Sequence, residues 1–230
     1  MSAPDDLPTG ASKERAVRQM FDRIADHYDL VNRLMTLRMD VGWRRRTVRE
    51  LRLPGRALVA DLACGTGDLC NELTTAGYRA VGADFSAGML ARATTSAPLV
   101  QADVLALPFP NRTLDGVTCG FALRNVRSLA ELFAEAARVL VAGGRAAFLE
   151  AAEPTNPLVR AGHAVYFGRV VPLIGAVLSD RDAYRYLPRS MAYLPPGPEL
   201  AAMLDGAGFA QIERFALSGG IAQLLVGTRR

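Results

Sequence analysis

The stretch Asp61-Leu62-Ala63-Cys64-Gly65-Thr66-Gly67 decides the fold of this chain. It ends a short apolar run, Ala57–Ala63, and it leads into a helix-like segment, Asp68–Ala76. A strand that ends in a glycine-rich turn followed by a helix is typical of a doubly wound α/β sheet, in which ligands bind at the carboxyl ends of the strands. A dinucleotide-binding fingerprint would continue with a third glycine, but Cys70 stands at that position. The loop therefore predicts a ligand site without specifying a dinucleotide.

The same alternation of strand-like and helix-like segments continues along the chain. Further strands are predicted at Arg79–Ala83, Leu99–Ala102, Val117–Phe121 and Ala146–Leu149. Further helices are predicted at Ala87–Ala93, Leu129–Val141 and Glu199–Gly206. Two final strand-like runs, Ile212–Leu217 and Ile221–Val226, are separated by Ser218-Gly219-Gly220 and predict an antiparallel hairpin. We therefore expect an α/β fold with a mainly parallel sheet.

The 230 residues fit one globular domain with extensions. Residues 1–12 are rich in Pro, Gly, Ser and Asp, and we expect a mobile tail there. Residues 13–230 are predicted to form a single domain, with helices over 13–53 and a Pro-interrupted insertion over 151–198. The helices over 13–53 follow from apolar stripes at helical spacing, namely Val17, Met20, Phe21 and Ile24, and then Leu30, Leu34, Leu37, Val41 and Val48.

Composition excludes several classes of protein. Half of the residues are hydrophobic and 22% are charged, which excludes a disordered chain. The net charge of +4 does not by itself imply nucleic acid as a partner. The three cysteines form no CxxC pair, so no metal site is predicted. The N-terminus does not resemble a signal peptide, and the most apolar stretch, residues 163–178, is too short to span a membrane. We therefore expect a cytoplasmic protein.

Three acidic residues, Asp61, Asp84 and Asp103, end three successive predicted strands. A carboxylate at Asp61 would repel a pyrophosphate but attract a cationic amino-acid group. Asp84 is placed to accept hydrogen bonds from ribose hydroxyls, and Asp103 from an adenine amine. Together they favour S-adenosylmethionine as the cofactor. The alternative is structural: Asp61 and Asp84 would cap loops, and Asp103 would form an Asx-turn.

Several segments resemble the class I methyltransferases, and specifically the quinone C-methyltransferase family of menaquinone and ubiquinone biosynthesis. They are FDRIADHYDLVNRLMT (21–36), DLACGTGDL (61–69), GADFSAGML (82–90), ADVLALPFP (102–110), LRNV (123–126), RVLVAGGR (138–145) and YRYLPRS (184–190). The resemblance extends from about Met20 to Gly227. It implies a Rossmann-like, seven-stranded, mainly parallel sheet with an antiparallel last strand and an N-terminal helical lid. It also implies cofactor contacts at Asp61, Gly65, Thr66, Gly67, Asp84, Phe85, Asp103 and Val104.

The reaction implied by this resemblance is methylation of a ring carbon on a demethylated quinol by S-adenosylmethionine. Arg124 and Asn125 follow the fourth predicted strand at its carboxyl end and are the candidate catalytic residues. The Arg124 guanidinium would stabilise a phenolate, and Asn125 would orient it by hydrogen bonding. The alternative is that Arg124 forms a structural ion pair and Asn125 caps a turn.

Aromatic and polar residues are predicted on the substrate side of the site: Tyr28, Asn32, Phe121, Tyr184 and Tyr186. Tyr28 and Asn32 lie one helical turn apart and so share a face. For the tyrosines, packing in the core or support of a lid stays open as an alternative. The two histidines, His27 and His163, are interpreted as a surface residue and a structural residue, respectively.

Departures from the family pattern leave a second function open. Gly120, Ala122, Arg38, Asp40 and Leu225 stand where the family usually has other residues. A methyltransferase of specialised metabolism that acts on another phenolic or polyketide-like aromatic acceptor is therefore the alternative hypothesis.

The expected partner is a small aromatic quinol, with or without a prenyl chain. The run Trp43-Arg44-Arg45-Arg46 could dock on anionic lipid headgroups, and the alternative is a solvated helix face with a packed Trp. A nucleic-acid-binding module built on these arginines is disfavoured, because the run lacks interleaved aromatic residues and a known reading motif. The oligomeric state stays open, with a homodimer as one option.

Overall fold

The computed structural model of the protein describes residues 8–154, 156–166, 186 and 189–230. The predicted substrate-side residue Tyr184 lies outside this part of the chain, and so does the side chain of His163. The described residues include most of the predicted domain but only parts of the predicted insertion.

Seven strands form one sheet in the order β3-β2-β1-β4-β5-β7-β6. They are β1 (Leu58–Leu62), β2 (Arg79–Asp84), β3 (Leu99–Gln101), β4 (Leu114–Gly120), β5 (Leu140–Ala151), β6 (Phe209–Leu217) and β7 (Ala222–Arg229). Neighbouring strands from β3 to β5 are parallel, whereas β7 runs antiparallel to both β5 and β6. The predicted parallel sheet with an antiparallel last strand is confirmed.

Helices cover both faces of the sheet. They are α1 (Gly10–Ile24), α2 (Tyr28–Met35), α3 (Met39–Leu51), α4 (Asp68–Thr75), α5 (Ala87–Ala91), α6 (Leu129–Val139), α7 (Pro157–Val165) and α8 (Gly197–Gly206). One buried cluster joins the sheet to α6 and α8, and a second joins its other face to α3 and α4. The central strands are therefore buried on both faces, as their continuous apolar sequences require.

The helix α1 begins at Gly10, within the segment 1–12 that the sequence predicts as a tail. The division of the chain into tail, lid and insertion stays a prediction.

One predicted apolar stripe lies on the opposite face of its helix. Leu30, Leu34 and Leu37 are 54%, 43% and 69% exposed, although their spacing predicts a buried face. Val31 and Met35 are the buried residues of α2, and they pack in a small cluster with α1. Helical spacing identifies residues that share a face, but two faces of α2 carry apolar residues, and only packing against α1 selects the buried one.

The strand β5 is longer than the sequence predicts. It begins at Leu140, directly after α6, whereas the apolar pattern predicts a helix to Val141 and a strand only from Ala146. Leu140 pairs with Leu114, and after an irregularity Arg145 pairs with Gly116. Because the intervening residues include two glycines, they interrupt the apolar pattern without ending the strand.

Candidate active site

A cleft opens at the carboxyl ends of the parallel strands, and its empty space, together with the open solvent at its mouth, is about 700 Å³. Its lining includes eight of the predicted site residues: Tyr28, Gly65, Asp84, Phe85, Asp103, Val104, Phe121 and Asn125. Residues of α1 and of the loop after β4 complete the wall. The cleft therefore lies where the strand and loop pattern predicts a ligand site.

The glycine loop after β1 needs its glycines for conformation and for space. Gly65 and Gly67 have φ angles of +55° and +90°, in the region that favours glycine. A Cβ atom at Gly67 would lie 2.7 Å from Cγ2 of Thr95. Any larger residue at position 67 would therefore strain the backbone of the loop and displace the segment around Thr95.

Asp84, the last residue of β2, organises this loop. Its Oδ2 accepts a hydrogen bond from the Gly65 amide at 2.8 Å, and its Oδ1 accepts one from the Ser86 amide at 2.8 Å. Burial raises the pKa of the carboxyl group. Asp84 therefore caps the loop, as the alternative interpretation predicts. Each of its carboxylate oxygens still has a second lone pair that can accept another hydrogen bond. Because Asp84 also lines the cleft, it is able to accept ribose hydroxyls there.

Asp61 lies almost fully buried near the end of β1. Its Oδ1 accepts a hydrogen bond from the Thr118 hydroxyl at 2.8 Å. Burial raises its pKa to about 7, against the opposing effects of Thr118 and of the nearby Arg44 charge. A buried carboxyl group of this kind is stabilised as an anion by a cationic ligand group, which fits the ammonium of an amino acid.

Asp103 follows β3 and is only partly buried. Its Oδ1 accepts a hydrogen bond from the Leu105 amide at 2.9 Å, which is the Asx-turn given as its alternative. Its Oδ2 lies 3.6 Å from Nη1 of Arg127. Asp103 and Val104 nevertheless line the cleft, so this end is able to receive an adenine.

The helix α2 contacts the glycine loop directly. The Thr66 hydroxyl donates a hydrogen bond to Oδ1 of Asp29 at 2.6 Å. Nη2 of Arg33 lies 3.2 Å from Oδ1 of Asp68, the first residue of α4. These contacts hold α2 over the loop that the cofactor would occupy.

The helix α1 contacts the loop after β2. Arg18 donates a hydrogen bond to the Phe85 carbonyl at 2.6 Å. Oδ1 of Asp22 accepts hydrogen bonds from the Ser86 hydroxyl at 2.5 Å and from the Gly88 amide at 3.1 Å. These three hydrogen bonds attach α1 to the loop after β2. The helix therefore forms one wall of the cleft.

Arg124 forms a buried ion pair with Glu150. Nη1 of Arg124 donates to Oε1 of Glu150, and the Arg124 amide donates to Oε2 at 3.2 Å. The two side chains are 10% and 0% exposed. Arg124 does not contribute to the cleft lining. The structural ion pair, which is the alternative interpretation of this residue, is present. However, its Nε is buried and has no hydrogen-bond partner within the described part of the chain.

Asn125 and Tyr186 are joined at the cleft. The Tyr186 hydroxyl donates a hydrogen bond to Oδ1 of Asn125 at 3.2 Å, and Nδ2 of Asn125 donates to the Phe121 carbonyl at 3.4 Å. Burial raises the pKa of Tyr186 to about 12, so its hydroxyl remains a donor at neutral pH. Asn125 therefore connects the insertion to the loop after β4.

Two aromatic residues line the cleft beside Asn125. Tyr28 meets Phe21 edge to face at 5.9 Å between ring centres, and burial raises its pKa. Phe121 has a φ angle of +59°, which is strained for a residue other than glycine, and its amide donates to the Leu149 carbonyl at 2.7 Å. By contrast, Asn32 of α2 is half-buried and does not contribute to the cleft lining.

Glu150 pairs with the predicted residue Arg124 but is not among the site residues predicted from the sequence. Glu150 directly follows the predicted strand Ala146–Leu149, so the rule that identified Asp61 and Asp84 would have identified it as well. Arg44 and Asp29 are also absent from the predicted site. Helix periodicity predicts which residues share a face, but it does not predict that a helix contacts the glycine loop.

The run from Trp43 to Arg46 is not a free basic surface. Trp43 is buried, and its Nε1 donates to the Ser218 hydroxyl at 2.8 Å. Arg44 is buried beside Asp40, and Arg45 and Arg46 lie 3.4 Å and 2.7 Å from the carboxylates of Glu72 and Glu50. The packed Trp of the alternative interpretation is therefore present, whereas the side chains of Arg45 and Arg46 are 65% and 39% exposed, and lipid docking through this run stays a prediction. His27 is exposed at the start of α2.

Residues 9–229 match the model of the ubiE/COQ5 methyltransferase family. The chain belongs to this family. The enzyme is an S-adenosylmethionine-dependent methyltransferase, and the cleft, with its glycine loop and strand-end carboxylates, fits that cofactor.

Similar enzymes span almost the whole chain. A demethylmenaquinone methyltransferase from Roseiflexus castenholzii is 41% identical, over 97% of this chain and 98% of its own length. One from Deinococcus radiodurans is 39% identical over the full length of both chains. A ubiquinone/menaquinone biosynthesis C-methyltransferase from Syntrophotalea carbinolica is 40% identical, over 92% of this chain and 93% of its own.

Solved structures share the fold of the methyltransferase. A methyltransferase from Thermotoga maritima superposes with a TM-score of 0.66 at 14% identity, over 93% of this chain and all of that one. The phosphoethanolamine N-methyltransferase 2 of Haemonchus contortus, in complex with S-adenosyl-L-methionine, has a TM-score of 0.61 at 12% identity and covers 81% of this chain and 52% of its own. At these identities the likeness shows the fold alone.

Within the described ranges, none of the enzyme's helices has both the length and the apolar character needed to cross a membrane.

Proposed function

We propose that the enzyme methylates a ring carbon of a demethylated menaquinol. The observation that carries this proposal is the full-length similarity to demethylmenaquinone methyltransferases at about 40% identity. The cleft supports it, because the aromatic side chains of Tyr28 and Phe121 line it together with Asn125, and the buried Arg124 directly precedes Asn125 in sequence.

The residues beside the cleft suit an aromatic acceptor with a phenolic oxygen. S-adenosylmethionine supplies an electrophilic methyl group when it is bound. Tyr28 and Phe121 offer aromatic surface to a flat ring. Burial raises the pKa of Tyr28 and of Tyr186, and the positive charge of Arg124 opposes this rise at both hydroxyl groups. A positive charge at that place would favour a phenolate over a phenol on the substrate.

The departures from the family pattern mostly lie away from the cleft, so the alternative acceptor is not favoured. Leu225 is buried in the core within β7, and Asp40 is buried in an ion pair with Arg44. Arg38 lies on the exposed connection between α2 and α3. Only Gly120 and Ala122 line the cleft, and both are small. Neither residue has a polar side-chain atom, so neither introduces a polar group that would select another acceptor.

Label transfer to a quinol tests the proposed acceptor. The enzyme, incubated with labelled donor and a chemically reduced demethylnaphthoquinone, is expected to place the label on a ring carbon. The oxidised quinone is the matched control and should accept no label, because it lacks the phenolic oxygen whose electrons activate the ring. Efficient transfer to other phenols together with none to the quinol would reject the proposal in favour of the alternative acceptor.

We further propose that the enzyme contacts the cytoplasmic surface of a membrane through α2, where a prenylated quinol would reside. Leu30 and Leu34 expose apolar side chains on α2, the helix that covers the glycine loop, and Leu37 exposes a third in the turn after this helix. Exposed leucines on one face of a short helix suit insertion at the boundary between headgroups and acyl chains.

Vesicle flotation tests this contact. Replacing Leu30, Leu34 and Leu37 by serine together is expected to lower binding to vesicles of anionic lipid at least tenfold, since each leucine contributes burial of apolar area. The variant Arg45→Gln is the control, and its binding should change little. If the wild-type enzyme does not float with such vesicles, the membrane contact is wrong.

A further inference from the structure

Arg44 is a buried cation directly behind the glycine loop. It belongs to α3, and its Nη1 contacts both Asp40 and Oδ2 of Asp68, the latter at 3.3 Å. Asp68 is the first residue of α4 and follows Gly67 in sequence. Asp68 is shared with Arg33, so Arg44 is not its only counter-charge. The guanidinium is thereby held at the start of the helix that the loop leads into.

Arg44 lies beside one residue of the cleft wall and beside the helix turn that contacts Asp61. The guanidinium carbon lies 5.9 Å from the ring centre of Phe121, which lines the cleft. Sγ of Cys70, which lies two residues after Asp68 in α4, is 3.8 Å from Oδ2 of Asp61, the carboxyl group placed for an ammonium ion, so Arg44 and Asp61 both contact the first turn of this helix. Burial raises the pKa of Asp61, and the charge of Arg44 opposes this rise. Arg44 is therefore near both the buried carboxylate and the aromatic wall.

The guanidinium has unused donors. Both of its acidic contacts use Nη1, and among the residues that the structure describes Nη2 and Nε form no hydrogen bond. Neither nitrogen is among the buried, unpartnered atoms, which are Nε of Arg46 and Nε of Arg124. A guanidinium with two free donors matches a carboxylate, which can accept two parallel N–H bonds.

We propose that Arg44 binds the α-carboxylate of the cofactor's amino-acid group, opposite the Asp61 carboxylate that binds its ammonium. A zwitterion needs one group of each charge, and Asp61 serves only the ammonium. Asp40, which is fully buried, holds the guanidinium in place through the shared Nη1 contact. In this arrangement Asp40 is a positioning residue, and Arg44 recognises the ligand.

Calorimetry with two ligands tests this proposal. S-adenosylhomocysteine and its analogue without the α-carboxylate are titrated separately, and the ratio of their affinities is the readout. The wild-type enzyme should prefer S-adenosylhomocysteine by about 10- to 100-fold, the range expected for a charged hydrogen-bonded pair. In the double variant Arg44→Gln, Asp40→Asn, which leaves no buried carboxylate at position 40 unpaired, the ratio should fall below about threefold.

The variant Arg46→Gln is the matched control, since Arg46 lies on the same helix but pairs with Glu50 and stacks on Phe215. Its affinity ratio should equal that of the wild type. Arg44→Lys should give an intermediate ratio, and this variant decides the question if the double variant does not fold. A wild-type ratio near one, or an unchanged ratio in the Arg44 variants with both affinities lowered together, would overturn the proposal. Neither ligand contains a methyl acceptor, so this outcome is independent of the quinol assay.

Discussion

Replacing Arg124 by alanine is expected to lower both stability and turnover. The substitution leaves the Glu150 carboxylate fully buried without its counter-charge, and such a change costs about 3–5 kcal/mol of unfolding free energy. Turnover per folded molecule should fall on the order of 10²-fold, because the guanidinium would no longer stabilise a phenolate. Thermal unfolding, quinol turnover and affinity for S-adenosylhomocysteine, measured on the same preparation, separate the two effects.

Two further variants sharpen this experiment. Adding Glu150→Gln to Arg124→Ala should restore much of the stability but none of the turnover, since it removes the unpaired charge and not the need for a cation. Arg92→Ala, which breaks an ion pair between exposed side chains, should change stability much less. Wild-type turnover in folded Arg124→Ala would show that the residue has only the structural role of its ion pair.

The substitution Asp84→Ala is expected to weaken binding of S-adenosylhomocysteine at least about 100-fold. It removes the acceptor of the Gly65 and Ser86 amides, so the glycine loop loses its support, and it also removes the acceptor available to ribose hydroxyls. Two or more hydrogen bonds to a charged group, each contributing about 1.5–3 kcal/mol, account for an effect of this size. Isothermal titration calorimetry measures the affinity directly.

Asp103→Ala is the comparison for this second experiment. Asp103 is partly exposed, and one of its oxygens already accepts the Leu105 amide, so its loss should weaken binding about tenfold or less. An affinity of Asp84→Ala equal to that of the wild type would remove Asp84 from the cofactor site.

Much of the fold could be predicted from local patterns. The strand that ends at Asp84 and the hairpin around Ser218-Gly219-Gly220 follow from short apolar runs bounded by turn residues, and both are present. The predicted boundaries are less accurate at β5, where two glycines interrupt the apolar run and the pairing with β4 is irregular between Leu140 and Arg145. Local composition indicates which secondary structure a segment favours, whereas the neighbouring strand decides which of its residues pair in the sheet.

The sequence by itself determined the place of the site, and tertiary structure decided its partners. Parallel strands bring their carboxyl ends to one edge, so strand-end residues such as Asp61 and Asp84 had to lie near each other. The pairing of Arg124 with Glu150 depends instead on the register of β4 against β5, which joins residues 26 positions apart. Likewise, the outward face of α2 follows from its packing on α1. Periodicity and strand order are local or topological properties, whereas ion pairs and buried faces depend on which elements meet.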